Sequence, residues 1–130
     1  MGVRIRVGQG IAGSVAESGA TLNIKHAYSD QRFSKKFDKV TGFKTKSILA
    51  IAVINLKGEI LGVIQLVNKK SQWNTSDMGS EHFTSADSAI MENFAAELAE
   101  VLSKHTSQLQ VMKSIADAHS EDYKRRRASR

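Results

Sequence analysis

A chain of 130 residues with 41% hydrophobic content is long enough for one small core and too short for two, so one domain is expected. No window approaches the roughly 20 apolar residues that span a bilayer, and the opening MGVRIRVGQG lacks the apolar stretch of a secretion signal, so the expected address is cytoplasmic and off the membrane. The absence of cysteine excludes disulfides, thiolate-held zinc, a cysteine nucleophile and a chromophore linked through sulfur. The net charge of +6 gathers at the end, where Lys124, Arg125, Arg126, Arg127 and Arg130 form a basic tail. The body mixes signs and lacks the interleaving of aromatic and basic residues that stacks bases, so a solvated tail and no nucleic-acid partner are expected.

Residues 3–7 alternate apolar and basic side chains with a strand's period of two. The text GQGIAGSVAESG then predicts a short helix with Ile11 and Val15 on one face and Gly19 as its stop. Residues 21–24 predict a brief strand. Residues 25–42 are polar with spaced aromatics, the pattern of a lid-like loop holding one helical turn between Ser34 and Val40. Residues 48–54 and 60–67 are β-branched runs joined by NLKGE, a hairpin with Gly58 in the turn. Both runs are nearly continuously apolar, so both faces of the hairpin are expected to be covered, one by helices and the other by residues 25–42, with room left for a pocket.

After the polar loop KKSQWNTSDMGSEH, Thr84 and Asp87 make a Thr-x-x-Asp capping box, although Ser88 leaves the usual hydrophobic staple unmade. The helix that follows carries Met91, Phe94, Leu98, Val101, His105, Leu109, Met112 and Ile115 at three-four spacing, further than one small sheet can cover. Its distal part is expected to form a parallel dimer, the alternative being a frayed linker helix.

Gly8 to Gly13 match G-x-G-x-x-G, and Asp30 stands where a dinucleotide site has its acid. The dinucleotide reading fails on length, because a parallel crossover needs roughly a dozen residues with a full helix before the next strand. What survives is that free backbone N–H groups of Ile11 and Ala12 at a helix start can meet an anion. His26, His82, His105 and His119 offer no paired metal-ligand spacing, so no metal is expected. No nucleophile elbow, Walker loop or matched carboxylate pair is present, so this chain is not expected to be an enzyme. Arg126, Arg127, Ala128 and Ser129 spell RRAS, the local pattern favoured by basophilic kinases such as the cyclic-AMP-dependent one, which makes Ser129 a candidate phosphosite.

The run RIRVGQGIAGSVAESGATLNIKHAYSDQRFSKKFDKVTGFKTKSIL, followed by GVIQLVNKK, resembles the regulatory GAF domains of cyclic-nucleotide phosphodiesterases and of adenylyl cyclases that carry the same module. The resemblance covers about residues 3–102. Its most specific element is the N-K-(spacer)-F-x-x-x-D-E signature, present as Asn68, Lys69, Phe83 and Asp87 with thirteen residues between the lysine and the phenylalanine, and with Ser88 in place of the final glutamate. The resemblance implies that this signature is structural, Lys69 pairing with Asp87 at a helix start, where the helix dipole also favours a carboxylate.

The implied fold is α+β: a GAF (PAS-like) antiparallel sheet with flanking helices and a long C-terminal helix. Residues 1–103 would be the GAF domain without its first helix and strands, and residues 104–130 a linker helix and basic tail. A fragment of a longer protein is favoured over a partner that supplies the missing strands. Carried over position by position, the implied ligand contacts are Ile11, Ala12, Ser34, Asp38, Thr41 and Thr45, with Gln65 reaching up from a strand. Ser34 stands where the family often has an aromatic and Gln65 where it can have an acid. The implied function is to bind cyclic AMP or cyclic GMP, with no other cofactor, and to signal through a homodimer helix to an effector in the same parent chain, such as a phosphodiesterase catalytic domain. A ligand-free dimerisation and spacer module is the alternative.

Overall fold

The computed structural model describes residues 4–70 and 82–129. Met1 to Val3, most of the polar loop after Lys70, and Arg130 lie outside the described residues. The order of elements is α1 (Gly10–Ser18), β1 (Leu22–Ile24), a 3-10 turn (Ala27–Ser29), α2 (Lys36–Thr41), β2 (Ile48–Ile54), β3 (Ile60–Val67) and α3 (Ser85–Ala128). The three strands form one antiparallel sheet in the order β1-β2-β3.

The central strand β2 is buried along its length except at Ile54. Alternation divides its side chains between the two faces of the sheet. Ile48, Ala50 and Ala52 join Ile11 and Val15 of α1, Ile24 of β1 and Ala27 in one core cluster. Leu49, Ile51 and Val53 join Ala95 and Ala99 of α3 in the other. The first face is therefore roofed mainly by α1, with Phe33 packed at its margin. The sequence expectation gave that roof to residues 25–42 alone. Helix α1 takes it because Ile11 and Val15 bury side by side and Gly19, at φ 73°, ends the helix and turns the chain directly into β1.

Strand β3 departs from expectation as well. Leu61, Gln65 and Val67 are exposed, because among the described residues β3 pairs only with β2 and has one flank open. Residues 4–7 are not a strand either. A period of two makes a strand only where a neighbouring edge completes the ladder, and here the chain curls onto α1 instead, with Gln9 N–H donating to Arg6 C=O at 3.0 Å and Gly8 N–H to Gly13 C=O at 2.7 Å. The glycines serve this close approach. Gly8 and Gly10 adopt positive φ, 87° and 70°, and a Cβ on Gly13 would sit 2.6 Å from the Arg6 carbonyl oxygen.

Helix α3 begins with the expected capping box: the Thr84 hydroxyl accepts from Asp87 N–H at 3.1 Å and the Asp87 carboxylate accepts from Thr84 N–H at 2.8 Å. Met91 and Leu98 of the expected stripe pack against the sheet, but the centre of the contact is rotated away from Phe94 and Val101. Ala95 and Ala99 are buried, whereas Phe94 is 51% and Val101 63% exposed. Alanines permit the helix axis to approach the sheet closely, and that contact fixes the rotation. Side-chain bonds from β1 hold the same end: Asn23 Nδ2 donates to Phe83 C=O and the Thr21 hydroxyl to Glu92, both at 2.8 Å. Beyond Leu102 the helix touches no other described element closely enough to bury an apolar side chain, and Leu109, Val111, Met112 and Ile115 are all more than half exposed.

Candidate functional site

Between α2, the start of α1 and the β2–β3 floor lies a cleft of about 520 Å3. Its floor comes from register: Gln65 lies opposite Ala50 and Val67 opposite Ile48, so all four side chains share the face that α1 covers. Its walls are aromatic. Phe33, Phe37 and Phe43 surround the opening, and Ile5 and Gln9 close the side next to α1. Gln9, at the N-cap of α1, makes no side-chain capping bond, and Gln9, Gly10 and Ile11 at the start of the helix line the cleft.

Of the seven residues expected to contact ligand, Ile11, Ser34, Thr45 and Gln65 line this cleft. Ala12 lies in α1 and does not line it. Thr41 is turned to its own helix, donating to Phe37 C=O at 2.8 Å and accepting from Phe43 N–H at 3.3 Å, which satisfies the C-terminal turn of α2. Asp38 is 6% exposed and bonded inside the protein. It accepts from Thr45 N–H at 2.7 Å, the Thr45 hydroxyl at 2.8 Å and the Tyr28 hydroxyl at 2.7 Å. Burial pushes the Asp38 carboxyl up, but the Thr45 and Tyr28 hydrogen bonds outweigh it and hold the group below the usual carboxylate range. The carboxylate thus positions the wall of the cleft.

The aromatic wall was not nominated from the sequence, although spaced aromatics in an otherwise polar segment are its signal. Phe37 and Phe43 are 63% and 45% exposed, unusual for residues with no polar atom to solvate. Asp30, the acid expected in a dinucleotide site, forms a local fork with Arg32, Nε at 3.0 Å and Nη2 at 2.7 Å, and takes no part in the cleft. Among the described residues no three His, Asp or Glu side chains gather closely enough to hold a metal ion.

The signature residues brace the frame. Asn68 sits at φ 61°, a conformation asparagine tolerates better than most residues. Its Oδ1 accepts from Lys46 N–H at 2.6 Å and its Nδ2 donates to Lys44 C=O at 2.9 Å, pinning the segment that leads from Thr45 into β2. Lys69 Nζ lies 2.6 Å from Asp87 Oδ2 and so ties the end of β3 to the start of α3. The Lys69 ammonium, followed by the Thr84 N–H, holds the Asp87 carboxyl below its ordinary range. Phe83 packs against the cluster formed by β2 and α3.

The arrangement of sheet and helices agrees with comparison to known proteins. The family model described as GAF domain matches residues 1–102. The chain belongs to the GAF domain family. This GAF domain is 45% identical over 92 residues to the dual 3',5'-cyclic-AMP and -GMP phosphodiesterase 11A of Takifugu rubripes, a match covering 71% of the chain and 9% of that protein. It is 38% identical over 92 residues to the dual 3',5'-cyclic-AMP and -GMP phosphodiesterase 11 of Drosophila melanogaster, covering 71% of the chain and 6% of that protein. The GAF domain thus spans less than a tenth of either relative.

Solved structures share the fold at low identity. The GAF domain of a phosphoenolpyruvate-protein phosphotransferase from Coxiella burnetii superposes with a TM-score of 0.67 at 21% identity, over 82% of this chain and 56% of that one. The corresponding Acinetobacter domain gives 0.60 at 20%, over 81% of this chain and 54% of that one. No helix among the described residues is long and apolar enough to cross a membrane.

Proposed function

We propose that this GAF domain is a cyclic-nucleotide sensor whose occupied cleft stabilises one arrangement of α3 and so signals to an effector in the same parent polypeptide. The observation that carries the reading is the cleft itself: three phenylalanines over a floor of Ile48 and Val67, with Gln65 among its polar lining residues. The Gln65 amide presents both a donor and an acceptor, which suits a purine edge, and the aromatic rings supply stacking surface. The start of α1 offers N–H groups and a positive dipole end to the cyclic phosphate. Similarity to proteins named as dual cyclic-AMP and cyclic-GMP phosphodiesterases supports the same ligand class.

The output follows from the shared sheet. Cleft and α3 lie against opposite faces of β2, so a ligand that draws α2 onto the floor shifts the strand on which Ala95 and Ala99 rest. Differential affinity for the closed and open forms is all that the coupling requires. The distal part of α3, with Leu109, Val111, Met112 and Ile115 exposed, would carry the signal as a parallel dimer.

A ligand-free dimerisation module is the competing reading, favoured by the internal hydrogen bonds of Asp38 and Thr41. Calorimetric titration of the chain with cyclic AMP and cyclic GMP separates the two. Heat that disappears in Gln65→Ala supports the sensor. Silence with both nucleotides at millimolar concentration supports the scaffold.

A further inference from the structure

The last turn of α3 carries chemistry that neither the cleft nor the sheet uses. Arg126, Arg127, Ala128 and Ser129 stand at the exposed end of a helix whose final residue is Ala128, with Ser129 at its C-cap. We propose that Ser129 is phosphorylated by a basophilic protein kinase, and that the resulting phosphoserine is held by Arg125 and Arg126. The proposal is independent of what occupies the cleft.

Two features make the site available. Kinases bind substrate serines in extended chain, so the last helical turn must open. Little resists that opening: Ser129 Oγ donates to Arg126 C=O at 3.0 Å, and Arg126 pairs with Asp122 at 3.0 Å with side chains 81% and 52% exposed. Exposed pairs of this kind contribute little. The two arginines before Ala128 then present the positive charges that an acidic kinase groove selects.

The product also has partners. In the transfer, the γ-phosphoryl group of ATP passes to Ser129 Oγ, the hydroxyl proton leaves to the kinase's base, and ADP departs. Ser129, at the C-cap, stays close to the last turn, its Oγ lying 3.0 Å from Arg126 C=O, and the side chains three and four residues before it are Arg126 and Arg125. A phosphate there loses the Oγ donor to Arg126 C=O and is repelled by the helix C-terminal carbonyls, and the guanidinium groups of Arg125 and Arg126 are the donors that offset this. In residues 120–130, Lys124, Arg125, Arg126, Arg127 and Arg130 oppose Glu121 and Asp122, a net charge of +3. Phosphorylation adds about −1.5 to −2 and so removes half or more of it. This stretch of the output helix then keeps only about +1 to +1.5 of its basic charge.

The test incubates the 130-residue chain with ATP and the catalytic subunit of the cyclic-AMP-dependent kinase, and maps the product by mass spectrometry. Phosphate is expected on Ser129, absent from that peptide in Ser129→Ala, with the initial rate falling roughly tenfold or more in Arg126→Ala. A wild-type chain left unmodified while a control peptide is converted, or an Arg126→Ala chain modified at the wild-type rate, overturns the site. Phosphorus NMR of the modified chain reads the pairing. The second phosphate ionisation should fall below the usual value of about 6 and return toward it in Arg125→Gln. Identical titrations in the two chains overturn the pairing.

Discussion

Thr45 bonds twice to Asp38, through its backbone N–H at 2.7 Å and its hydroxyl at 2.8 Å, so α2 and the segment entering β2 move as one body. Thr45 itself lines the cleft, whereas Asp38 does not. The carboxylate therefore acts on any ligand through the wall it holds in place.

Removing that hold should loosen the wall without dismantling the sheet. Asp38→Ala leaves Thr45 N–H and two hydroxyls without their acceptor, in a buried position where unpaired donors are costly. We expect a lower melting temperature, unchanged helical signal, and nucleotide affinity reduced by about tenfold, the size of one good hydrogen bond. Thr45→Val, which keeps the backbone donor, should do less. A Asp38→Ala chain that melts and binds like the wild type would mean the wall is held by something else.

Acid should destabilise the domain in a defined window. The carboxyl groups of Asp38 and Asp87 both titrate below their ordinary range in the folded state. Each therefore contributes stability that is fully present above the unfolded value, about 3.9, and is lost as pH falls through the lower folded value. Tyr28 has the opposite sign. Its hydroxyl, donating to Asp38, titrates above its usual range, so its contribution is present below about pH 10 and disappears as pH rises further. Melting curves between neutral pH and pH 2.5 should be level down to about pH 5 and fall steeply below about pH 4. Asp87→Asn should flatten part of that fall, and an unaltered profile in this variant would refute the role given to the Lys69 pair.

The contact between α3 and the sheet predicts a division between two kinds of helix substitution. Ala99 is fully buried against β2, so Ala99→Leu overpacks the interface and should cost about 1–3 kcal/mol of domain stability. Leu109→Ala lies beyond the sheet and should leave domain stability within about 0.5 kcal/mol while weakening self-association. Chemical denaturation reads the first effect and sedimentation the second. Equal stability losses in both variants would place the distal helix in the domain core.

The sequence was most legible where the signal is local. The hairpin follows from β-branched runs flanking a glycine turn, and the start of α3 from Thr84 and Asp87 three residues apart. The pairing of Lys69 with Asp87 was implied by the family resemblance, and a helix N-terminus that favours a carboxylate gave it a physical reason. Legibility failed where tertiary contact decides. Apolar residues occur on several sides of α3, so nothing in the spacing alone says that Ala95 and Ala99, rather than Phe94 and Val101, face the sheet. The alternation in residues 4–7 is real, but a strand also needs an edge. Asp38 was placed among the ligand contacts because the family resemblance implied it, and only the fold shows its oxygens already occupied by Thr45 and Tyr28.

The glycine run supplies the final prediction, because its role in close packing and its resemblance to a phosphate loop imply different outcomes for one substitution. In a helix interior, alanine is intrinsically better than glycine by about 1 kcal/mol, so Gly13→Ala should stabilise an unconstrained α1. Here the added Cβ meets the Arg6 carbonyl oxygen at 2.6 Å and the Gly8 backbone at 3.2 Å, and backbone cannot swing aside as a side-chain tip can. Overpacking of this kind costs about 1–3 kcal/mol, which exceeds the propensity gain. The strain falls on residues 4–9, which carry Ile5 and Gln9 to the cleft, so ligand affinity should drop along with the melting temperature. Gly42→Ala is the control: it has the same composition change and a positive φ of 75°, but a Cβ there meets nothing within 4 Å. It should lower stability through backbone strain alone and leave hydrogen exchange in residues 4–9 as in the wild type. Gly13→Ala should accelerate exchange at the Gly8 N–H, whose bond to the Gly13 carbonyl must lengthen. A Gly13→Ala chain more stable than the wild type, with that proton still protected, would show that residues 4–9 yield freely and that the glycine is not required for their approach.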